Sequence, residues 1–582
     1  MGYTPHILVI GGGVIGTGIA RDFAIRGLDV TLAERGTLTA GITGRCLGVL
    51  YSGARAQSDQ LAQRLKHENE ILHGIAGHCI NHDESLLVTD NEDISVDELC
   101  QRLEQRSISY DVLEGEEIDA TEPALSDDID RLIRVPDASV NQFELTIANA
   151  RSAQRYGAEI LTQTEVTDIA VEDGTIDTVT LEYSPPGRAS DALTPDEPVA
   201  DGGVPGSTSG GTMPGETNDE PKQVESGETE ERDPDYIINA AGGQVEAVAA
   251  VAGINMTLES RSETTVCFDS KPVETPLSRY RSGNQEATMT TKQGTGVLGT
   301  VSKEVTDQTA VTPANTKQLV DEMKAIVPAV GNAQQVQFSC GVRSTHPSLA
   351  NKHEYALIDH GDRHNCWGMT TVVGGSLTTH RYIAERVANE VCAKFGISRE
   401  CKTESISLPA TEEAVEAPDM SAPESVICET HSVTRSDVQH ALADDLVTET
   451  DLNEVRIRTG VGRGGCKGSC CAHRLVMELY PEYDEKTIRA SLQSFLDDLW
   501  TEQRGTLHGN QLKRAMQTYI FQKECLNLAT PDVTYVSTSS EDEEHTTSEP
   551  SDSDEQRINI AAYDSGPSST ARERPVWGER QR

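Results

Sequence analysis

The feature that most constrains the fold is a strand–turn–helix–strand unit close to the N-terminus. His6–Ile10 is an apolar run typical of a buried parallel strand, and apolar residues at helical spacing follow it as far as about Arg26. Three glycines in the pattern G-x-G-x-x-G separate strand from helix: Gly11, Gly13 and Gly16. A second strand, Asp29–Ala33, ends at the acidic residue Glu34. This order of elements predicts a dinucleotide-binding fold.

Each residue of this motif has a physical role in nucleotide binding or packing. Gly11 permits a tight turn, Gly13 lets the backbone approach a pyrophosphate, and Gly16 lets the helix pack closely on the strand. The pyrophosphate is expected at the helix N-terminus, where unpaired N–H groups and the helix dipole favour an anion. Glu34 is placed to accept a hydrogen bond from a ribose hydroxyl. A glycine-rich turn that binds no ligand is the alternative interpretation.

The balance of charges restricts the partners of the chain. Its 582 residues carry a formal net charge of −45. This charge argues against nucleic acid as a partner, because phosphate binding needs clustered lysine and arginine. Acidic residues spread through otherwise globular sequence favour a protein adapted to high salt, in which self-repulsion is screened. An ordinary acidic protein with disordered arms is the alternative.

Location and cysteine chemistry follow from general features of the sequence. No apolar run is long enough to span a membrane, and no signal peptide pattern is present. We therefore expect a cytoplasmic protein. Its 13 cysteines are expected to be mostly reduced, so a clustered subset indicates metal or redox ligands before disulfides.

Composition divides the chain into folded regions and polar segments. Residues 1–183 and 234–400 predict one α/β domain. Residues 425–529 predict a small helical domain. The segments poor in large apolar residues are predicted to be a disordered acidic insertion (184–233), a linker (401–424) and a disordered acidic tail (530–582).

Several further strands are predicted, together with the sheets that some of them join. Glu159–Thr162, Glu165–Glu172 and Thr175–Tyr183 alternate like antiparallel strands of one meander. Asp235–Gly242 is an apolar strand ending in small residues, and it is expected to return to the nucleotide-binding sheet. Ala287–Thr300 is predicted to form one strand.

Two further stretches suit a long cofactor. The small-residue loop Leu38–Arg55 runs directly on from Glu34, and is well placed to pass along a bound nucleotide. Cys366–Gly375 is a strand that ends in two glycines and is followed by a helix, which makes a second possible anion site. This combination is more typical of a flavoprotein than of a nicotinamide dehydrogenase.

These stretches resemble the FAD-dependent glycerol-3-phosphate dehydrogenases, specifically the A subunit of the anaerobic, quinone-linked enzyme. The matching stretches are Gly11–Arg35, Thr39–Arg55, Glu68–Leu72, Val135–Thr146, Ile237–Gly242, Cys340–Arg343 and Gly374–Arg381. The resemblance implies an FAD-binding Rossmann-like domain with an antiparallel-sheet substrate domain. In addition to the motif above, it implies these FAD-binding residues: Arg35, Thr43, Ala241, Gly242, Gly374, Gly375, Leu377 and Thr378.

The resemblance also implies a reaction. The family oxidises sn-glycerol 3-phosphate to dihydroxyacetone phosphate, with FAD accepting a hydride and the electrons passing to the B and C subunits of the same enzyme and then to quinone. Arg55 and Arg343 are expected to hold the phosphate through bidentate guanidinium contacts. His380 is the candidate general base. Association with the inner face of the cell membrane is expected through the partner subunits.

Several residues typical of the family are substituted in this chain. A lysine and two histidines of the family pattern are missing. The departures are Cys46, Leu47, Tyr51, Ala56, Ser344, Ser376 and His380. A second hypothesis therefore stays open: a diverged non-catalytic or regulatory paralogue, or an FAD oxidoreductase for another small hydroxy or amino acid.

The region after residue 425 is rich in cysteine. It resembles the small [2Fe-2S] domain related to bacterioferritin-associated ferredoxin, but Thr430 stands where the family has its second cysteine. The predicted metal ligands are Cys428, Cys466, Cys470 and Cys471. His431 is an alternative to Cys470 as fourth ligand. Cysteines on glycine-rich loops suit an iron–sulfur cluster. Zinc, which accepts sulfur and nitrogen ligands, and a domain without metal are the alternatives.

Overall fold

The computed structural model describes residues 4–525 with gaps at 90–93, 184–227, 281–286, 293–294, 305–312, 350, 352, 411–424, 430, 444–445, 447–451, 463–467, 469–470, 480–482 and 505–508. The predicted tail (530–582), most of the predicted insertion and linker, and the ligand candidates Cys466 and Cys470 lie outside the described residues. The domain boundaries in those stretches stay predictions.

The strands, in chain order, are β1 (His6–Ile10), β2 (Asp29–Ala33), β3 (Val49–Leu50), β4 (Ile80–His82), β5 (Ser85–Thr89), β6 (Asp111–Glu114), β7 (Arg131–Val135), β8 (Ala138–Val140), β9 (Glu159–Leu161), β10 (Thr164–Glu172), β11 (Thr175–Tyr183), β12 (Thr229–Arg232), β13 (Tyr236–Asn239), β14 (Glu259–Phe268), β15 (Leu277–Tyr280), β16 (Ala287–Lys292), β17 (Thr295–Glu304), β18 (Gln335–Thr345), β19 (Tyr355–Asp359), β20 (Met369–Gly374), β21 (Val426–Cys428) and β22 (Val433–Thr434).

The α-helices are α1 (Val14–Ile25), α2 (Ile42–Arg45), α3 (Asp59–Ile75), α4 (Val96–Gln105), α5 (Glu116–Thr121), α6 (Gln142–Arg155), α7 (Val245–Val251), α8 (Pro313–Lys324), α9 (His360–His364), α10 (His380–Lys394), α11 (Arg435–Leu442), α12 (Leu452–Thr459), α13 (Cys471–Leu479), α14 (Glu485–Arg504) and α15 (Gly509–Cys525).

A mainly parallel sheet carries the dinucleotide-binding motif. Within the described residues its order is β19-β20-β13-β1-β2-β9, and β19 is antiparallel to its neighbour. β13 pairs in parallel with β1, which confirms the predicted return of the chain to this sheet. β9 pairs in parallel with β2, so its prediction as part of an antiparallel meander is wrong. The reason is that α6 packs against α1 and delivers β9 to the sheet edge beside β2.

Both faces of this sheet are covered. Helices α1, α6 and α10 bury one face through apolar side chains that include Ile19, Phe23 and Val387. On the other face, β10, β11 and β12 form an antiparallel sheet whose apolar residues pack on β1 and β13. β12 lies within the predicted disordered insertion, so the end of that segment is a strand paired with β11. Burial on both faces explains why β1 is apolar throughout.

The second large sheet is the predicted antiparallel substrate domain. Its order in the described part of the chain is β18-β14-β17-β16-β15-β5-β7-β6, antiparallel except for the parallel pair β15 and β5. The predicted single strand Ala287–Thr300 is wrong, because β16 and β17 form two antiparallel strands of a hairpin. Helix α8 packs on this sheet around Phe268 and Met323.

The C-terminal region is helical, as predicted. Helices α11 to α15 share a core that includes Val438, Leu475 and Phe495, and α14 lies against β18 of the substrate sheet. The start of the predicted linker is packed on the main domain, since the N–H of Leu408 donates to the Ile75 carbonyl at 2.7 Å. Among the helices that the structure describes, none has the length and apolar character needed to cross a membrane.

Candidate active site

The predicted cofactor residues converge at one edge of the parallel sheet. Each group follows the carboxyl end of a strand: the glycine turn follows β1, Glu34 follows β2, Ala241 and Gly242 follow β13, and Gly374 with Gly375 ends β20. In open α/β sheets, ligands bind outside the carboxyl ends of the strands. The edge therefore forms a continuous cradle, with Thr43 of α2 beside the N-terminus of α1.

The glycines of the turn differ in what surrounds them. Gly11 has φ of +115°, and a Cβ there would lie 2.6 Å from the Ala240 carbonyl oxygen. A Cβ on Gly16 would overlap the carbonyl oxygen of Gly11, which confirms its predicted role in close packing of helix on strand. At Gly13 the nearest atom is Thr43 Oγ1, at 3.1 Å. The space before α1 is thus left open where a pyrophosphate is expected.

Glu34 closes one end of the cradle. Its carboxylate accepts hydrogen bonds from the N–H groups of Gly12 at 2.6 Å and Gly36 at 2.9 Å. Burial raises the pKa of Glu34, and these two N–H donors oppose that rise. The neighbouring Arg35 is half-buried. A carboxylate held this way beside the N-terminus of α1 fits the hydroxyl groups of a nucleotide ribose.

The other end of the cradle is the turn between β20 and α10. Gly374 and Gly375 both have positive φ, of +83° and +86°. Leu377 and Thr378 follow and are buried, and the Tyr51 N–H donates to Thr378 Oγ1 at 2.9 Å. This bond joins the turn to the loop that runs on from Glu34. The residues present therefore fit a long dinucleotide such as FAD, which would lie between Glu34 and this turn.

Arg55 lies beyond this second end and contacts several polar neighbours. Its side chain is 4% exposed, and its guanidinium lies 2.9 Å from Asp137 Oδ2. Nη1 donates to Ser278 Oγ at 2.7 Å and to Thr288 Oγ1 at 3.2 Å. The guanidinium also covers the Tyr51 ring, with Cζ 4.6 Å from its centre.

Arg343 lies on β18 and faces the cradle. Nη1 donates to Glu263 Oε1 at 3.0 Å, and Nη2 donates to the Gly375 carbonyl at 2.7 Å. Its side chain is 14% exposed, compared with 4% for Arg55. The sequence prediction placed both arginines at the substrate, and the structure brings both to the same end of the cradle.

His380 does not reach the site. Its ring is buried, with Cδ2 packed against Gly18 of α1. Nδ1 donates to the Leu377 carbonyl at 2.6 Å, and the Asn149 amide of α6 donates to Nε2 at 3.2 Å. Burial lowers the pKa of His380 to about 4. The prediction of His380 as general base finds no support here, because the first residue of α10 points back between helices.

A histidine that the sequence analysis missed lies at the site instead. His353 is buried, and its ring contacts Tyr51 edge-to-face at 4.5 Å between ring centres. The two residues are far apart in the chain, and His353 lies outside every motif. The one signal that could have drawn attention to it is its position shortly before β19, the strand paired with β20.

The metal candidates are described in part. Cys428 and Cys471 are both buried in the core of the C-terminal domain. Cys428 Sγ lies 3.7 Å from His431 Nδ1, and Cys471 Sγ lies 3.7 Å from the Gly468 carbonyl. The structure thus places His431 next to one predicted ligand.

The fold and the cradle define the class of protein, an FAD-dependent oxidoreductase. A family profile described as FAD dependent oxidoreductase matches residues 6–193. The structure of glycerol-3-phosphate dehydrogenase from Bacillus halodurans complexed with FAD has the same fold, with a TM-score of 0.50 and 15% identity over 90% of this chain and 89% of that one. L-proline dehydrogenase from P. horikoshii also gives 0.50, with 18% identity over 68% of this chain and 95% of that one.

Sequence relatives then identify the family. The A1 subunit of anaerobic glycerol-3-phosphate dehydrogenase from Haloferax volcanii is 35% identical over 567 residues, which cover 90% of this chain and 91% of the relative. The A subunit of the Escherichia coli K12 enzyme is 28% identical over 568 residues, covering 90% and 97%. The chain belongs to the family of A subunits of anaerobic glycerol-3-phosphate dehydrogenase, which confirms the resemblance inferred from its motifs.

Proposed function

We propose that the protein oxidises sn-glycerol 3-phosphate to dihydroxyacetone phosphate with FAD as its cofactor. The observation that carries the proposal is the position of Arg343, whose guanidinium is hydrogen-bonded to the Gly375 carbonyl at the end of the cradle. A guanidinium there can bind a phosphate while the substrate carbon next to it faces the cofactor. The relatives named for this activity support the choice of substrate.

The two arginines have different roles in this proposal. Arg343 is the more exposed, and its partner Glu263 is a carboxylate that a substrate phosphate can displace. Arg55 is held by Asp137, Ser278 and Thr288, so it orients Tyr51 and adds positive charge behind the phosphate. Bound FAD supplies the hydride acceptor. The protein supplies the binding, the orientation and the proton acceptor.

Anaerobic reduction of the flavin tests the proposal. Glycerol 3-phosphate should bleach the visible flavin band of the purified protein, whereas glycerol should not. Arg343→Gln should raise KM by roughly ten- to a hundredfold, because a charge-assisted hydrogen bond contributes about 1.5–3 kcal/mol. Arg386→Gln, on the exposed face of α10, is the matched control. Bleaching by another hydroxy acid or an amino acid alone would favour the second hypothesis, as would a flavin that no substrate reduces.

We also propose that the electrons leave through a [2Fe-2S] cluster in the C-terminal domain, and from there to partner subunits and quinone. The buried Cys428 and Cys471 support a ligand site in that core, and α14 of the same domain lies against β18, which carries Arg343. The names of the relatives, each one subunit of a larger enzyme, support a multi-subunit complex. Peripheral association with the cell membrane is part of this proposal.

Analysis of iron and acid-labile sulfide after anaerobic purification tests the cluster. Two iron and two sulfide per chain are expected, and Cys428→Ser should remove both. Cys470→Ser and His431→Gln distinguish the two candidates for fourth ligand. Zinc without sulfide would identify the alternative metal. Protein without either metal would contradict the proposed electron route and leave flavin reduction unaffected.

A further inference from the structure

We propose that His353 is the residue that accepts the proton of the substrate hydroxyl. This inference rests on the proposed function and assigns a further catalytic residue to the same site. Two features of the structure carry it: the position of its backbone and the contact of its ring.

The backbone of His353 is fixed against the turn at which the cradle ends. The Gly375 N–H donates to the carbonyl of the next residue, Glu354, at 2.7 Å. A Cβ on Gly374 would lie 2.6 Å from that same carbonyl oxygen, so only glycine permits this approach. The N–H of His353 donates to Asn351 Oδ1 at 2.9 Å. The segment therefore lies beside the same turn that Arg343 contacts.

The ring of His353 is held at the site by Tyr51. The two rings meet edge-to-face at an angle of 69°, an arrangement that aromatic pairs prefer. Tyr51 is itself held by its N–H bond to Thr378 and by the guanidinium of Arg55 over its ring. The Tyr51 ring thus contacts both His353 and Arg55. Gly375 is hydrogen-bonded both to Arg343 and to Glu354, the residue after His353.

The substrate is a short molecule, and Arg343 and the segment of His353 contact the same turn. In glycerol 3-phosphate the reacting C2 is separated from the phosphate only by C3 and one ester oxygen. With the phosphate on Arg343, we expect the C2 hydroxyl to lie beside this turn, within reach of His353. Imidazole is the side chain that takes up and releases protons near neutral pH, and a positioned histidine is the commonest general base.

The chemical step balances with the groups named. With FAD bound, the flavin would supply the hydride acceptor. The hydroxyl proton would move to the His353 imidazole, the C2–H bond would break with loss of a hydride to the flavin, and the C2–O bond would become a carbonyl, so that the substrate loses two electrons and two hydrogens. Of the charged or titratable groups nearby, Tyr51 contacts the His353 ring, Arg55 lies over the Tyr51 ring, and Glu354 is the next residue in the chain.

Rapid-reaction kinetics with the FAD-loaded protein test the inference. His353→Asn should slow flavin reduction by glycerol 3-phosphate by roughly 10²–10⁴-fold, the usual worth of a general base, with less than a tenfold change in KM. The acidic limb of the pH profile of kcat/KM should disappear, and added imidazole should restore part of the rate. His346→Asn, which removes a histidine that contacts Ser348 at the surface, is the matched control.

Chemical labelling gives a readout that does not depend on turnover. Diethyl pyrocarbonate should modify His353 in the wild-type protein, and glycerol 3-phosphate should suppress that modification while leaving His346 labelled. If His353→Asn retains FAD but reduces its flavin as fast as the wild type, His353 is not the base and the proposed substrate stands. If glycerol 3-phosphate fails to reduce the wild-type flavin, the proposed function is wrong and this assignment falls with it.

Discussion

At the scale of single residues, the glycines of the cradle serve two separate needs. At Gly11 and Gly16 the protein itself occupies the space of a side chain, so any substitution disturbs the fold. At Gly13 only Thr43 Oγ1 comes near, at 3.1 Å, and the backbone has an ordinary negative φ. Gly13 is therefore the position at which cofactor binding can be separated from folding.

Gly13→Val should abolish retention of FAD while the protein still folds, because the side chain enters the space expected for the pyrophosphate. The ratio of visible to ultraviolet absorbance after purification measures retention, and circular dichroism checks the fold. Gly74→Val, in α3 with no atom within 4 Å of the new Cβ, is the control. A colourless control, or a yellow Gly13→Val protein, would contradict this account of the cradle.

His380 also has a residue-level consequence, for stability. Its pKa is lowered from 6.5 to about 4 by burial, with Arg21 and Arg381 acting in the same direction. The folded protein therefore keeps the ring neutral, whereas the unfolded chain takes up a proton below pH 6.5. Stability from this group is complete above that pH and is lost as the pH falls toward 4.

His380→Gln should accordingly weaken the dependence of stability on pH between 6.5 and 4. The shift corresponds to roughly 3 kcal/mol across that range. Urea unfolding at a series of pH values measures it, with the wild type as reference. If the free energy of unfolding changes equally with pH in the two proteins over this range, the His380 ring takes up its proton in the folded state.

At the scale of elements, β12 forms the end of the predicted insertion (184–233). It pairs with β11 over four residues, from Val179 opposite Arg232 to Glu182 opposite Thr229. The ion pairs of Arg232 with Glu159 and Glu230 are partly exposed, and pairs of that kind contribute little. Cross-strand pairing is thus the main contribution of this strand.

Two deletions test this division. Removing residues 184–227 should leave FAD retention and melting temperature unchanged, because the composition of that segment cannot support a core. Removing 184–233 should lower the free energy of unfolding by on the order of 1 kcal/mol, since each cross-strand pair contributes some tenths. Equal stability of the two deletion proteins, measured by urea unfolding, would argue against a role for β12.

At the scale of the whole molecule, the net charge of −45 dominates. Repulsion between so many acidic groups opposes the compact state, and dissolved ions screen it over a distance that shrinks to about 3 Å at 1 M salt. We expect the melting temperature to rise by several degrees from dilute to multimolar KCl. Sucrose at the same osmolality is the control. A melting temperature that is insensitive to KCl would favour the ordinary acidic protein over the salt-adapted one.

The sequence alone determined the features that depend on neighbours in the chain. Gly11, Gly16 and Glu34 could be assigned roles because the turn, the helix start and the strand that follow one another there leave little choice of structure. The helical C-terminal region was predicted for the same reason, from local periodicity. The return of β13 was the exception, a distant pairing predicted from an apolar strand that ends in small residues. Family membership followed from these motifs.

Only the tertiary structure decided the features that depend on distant pairings. Alternation of side chains in β9 does not say which sheet it joins, and α6 settles that by packing on α1. His380 points into the protein because α1 and α6 meet there. His353 reaches Tyr51 because β19 pairs with β20 and brings its loop to the cradle. The physical reason is that a local pattern fixes the conformation of a segment. Which elements pack against that segment depends on how the whole chain buries its apolar surface.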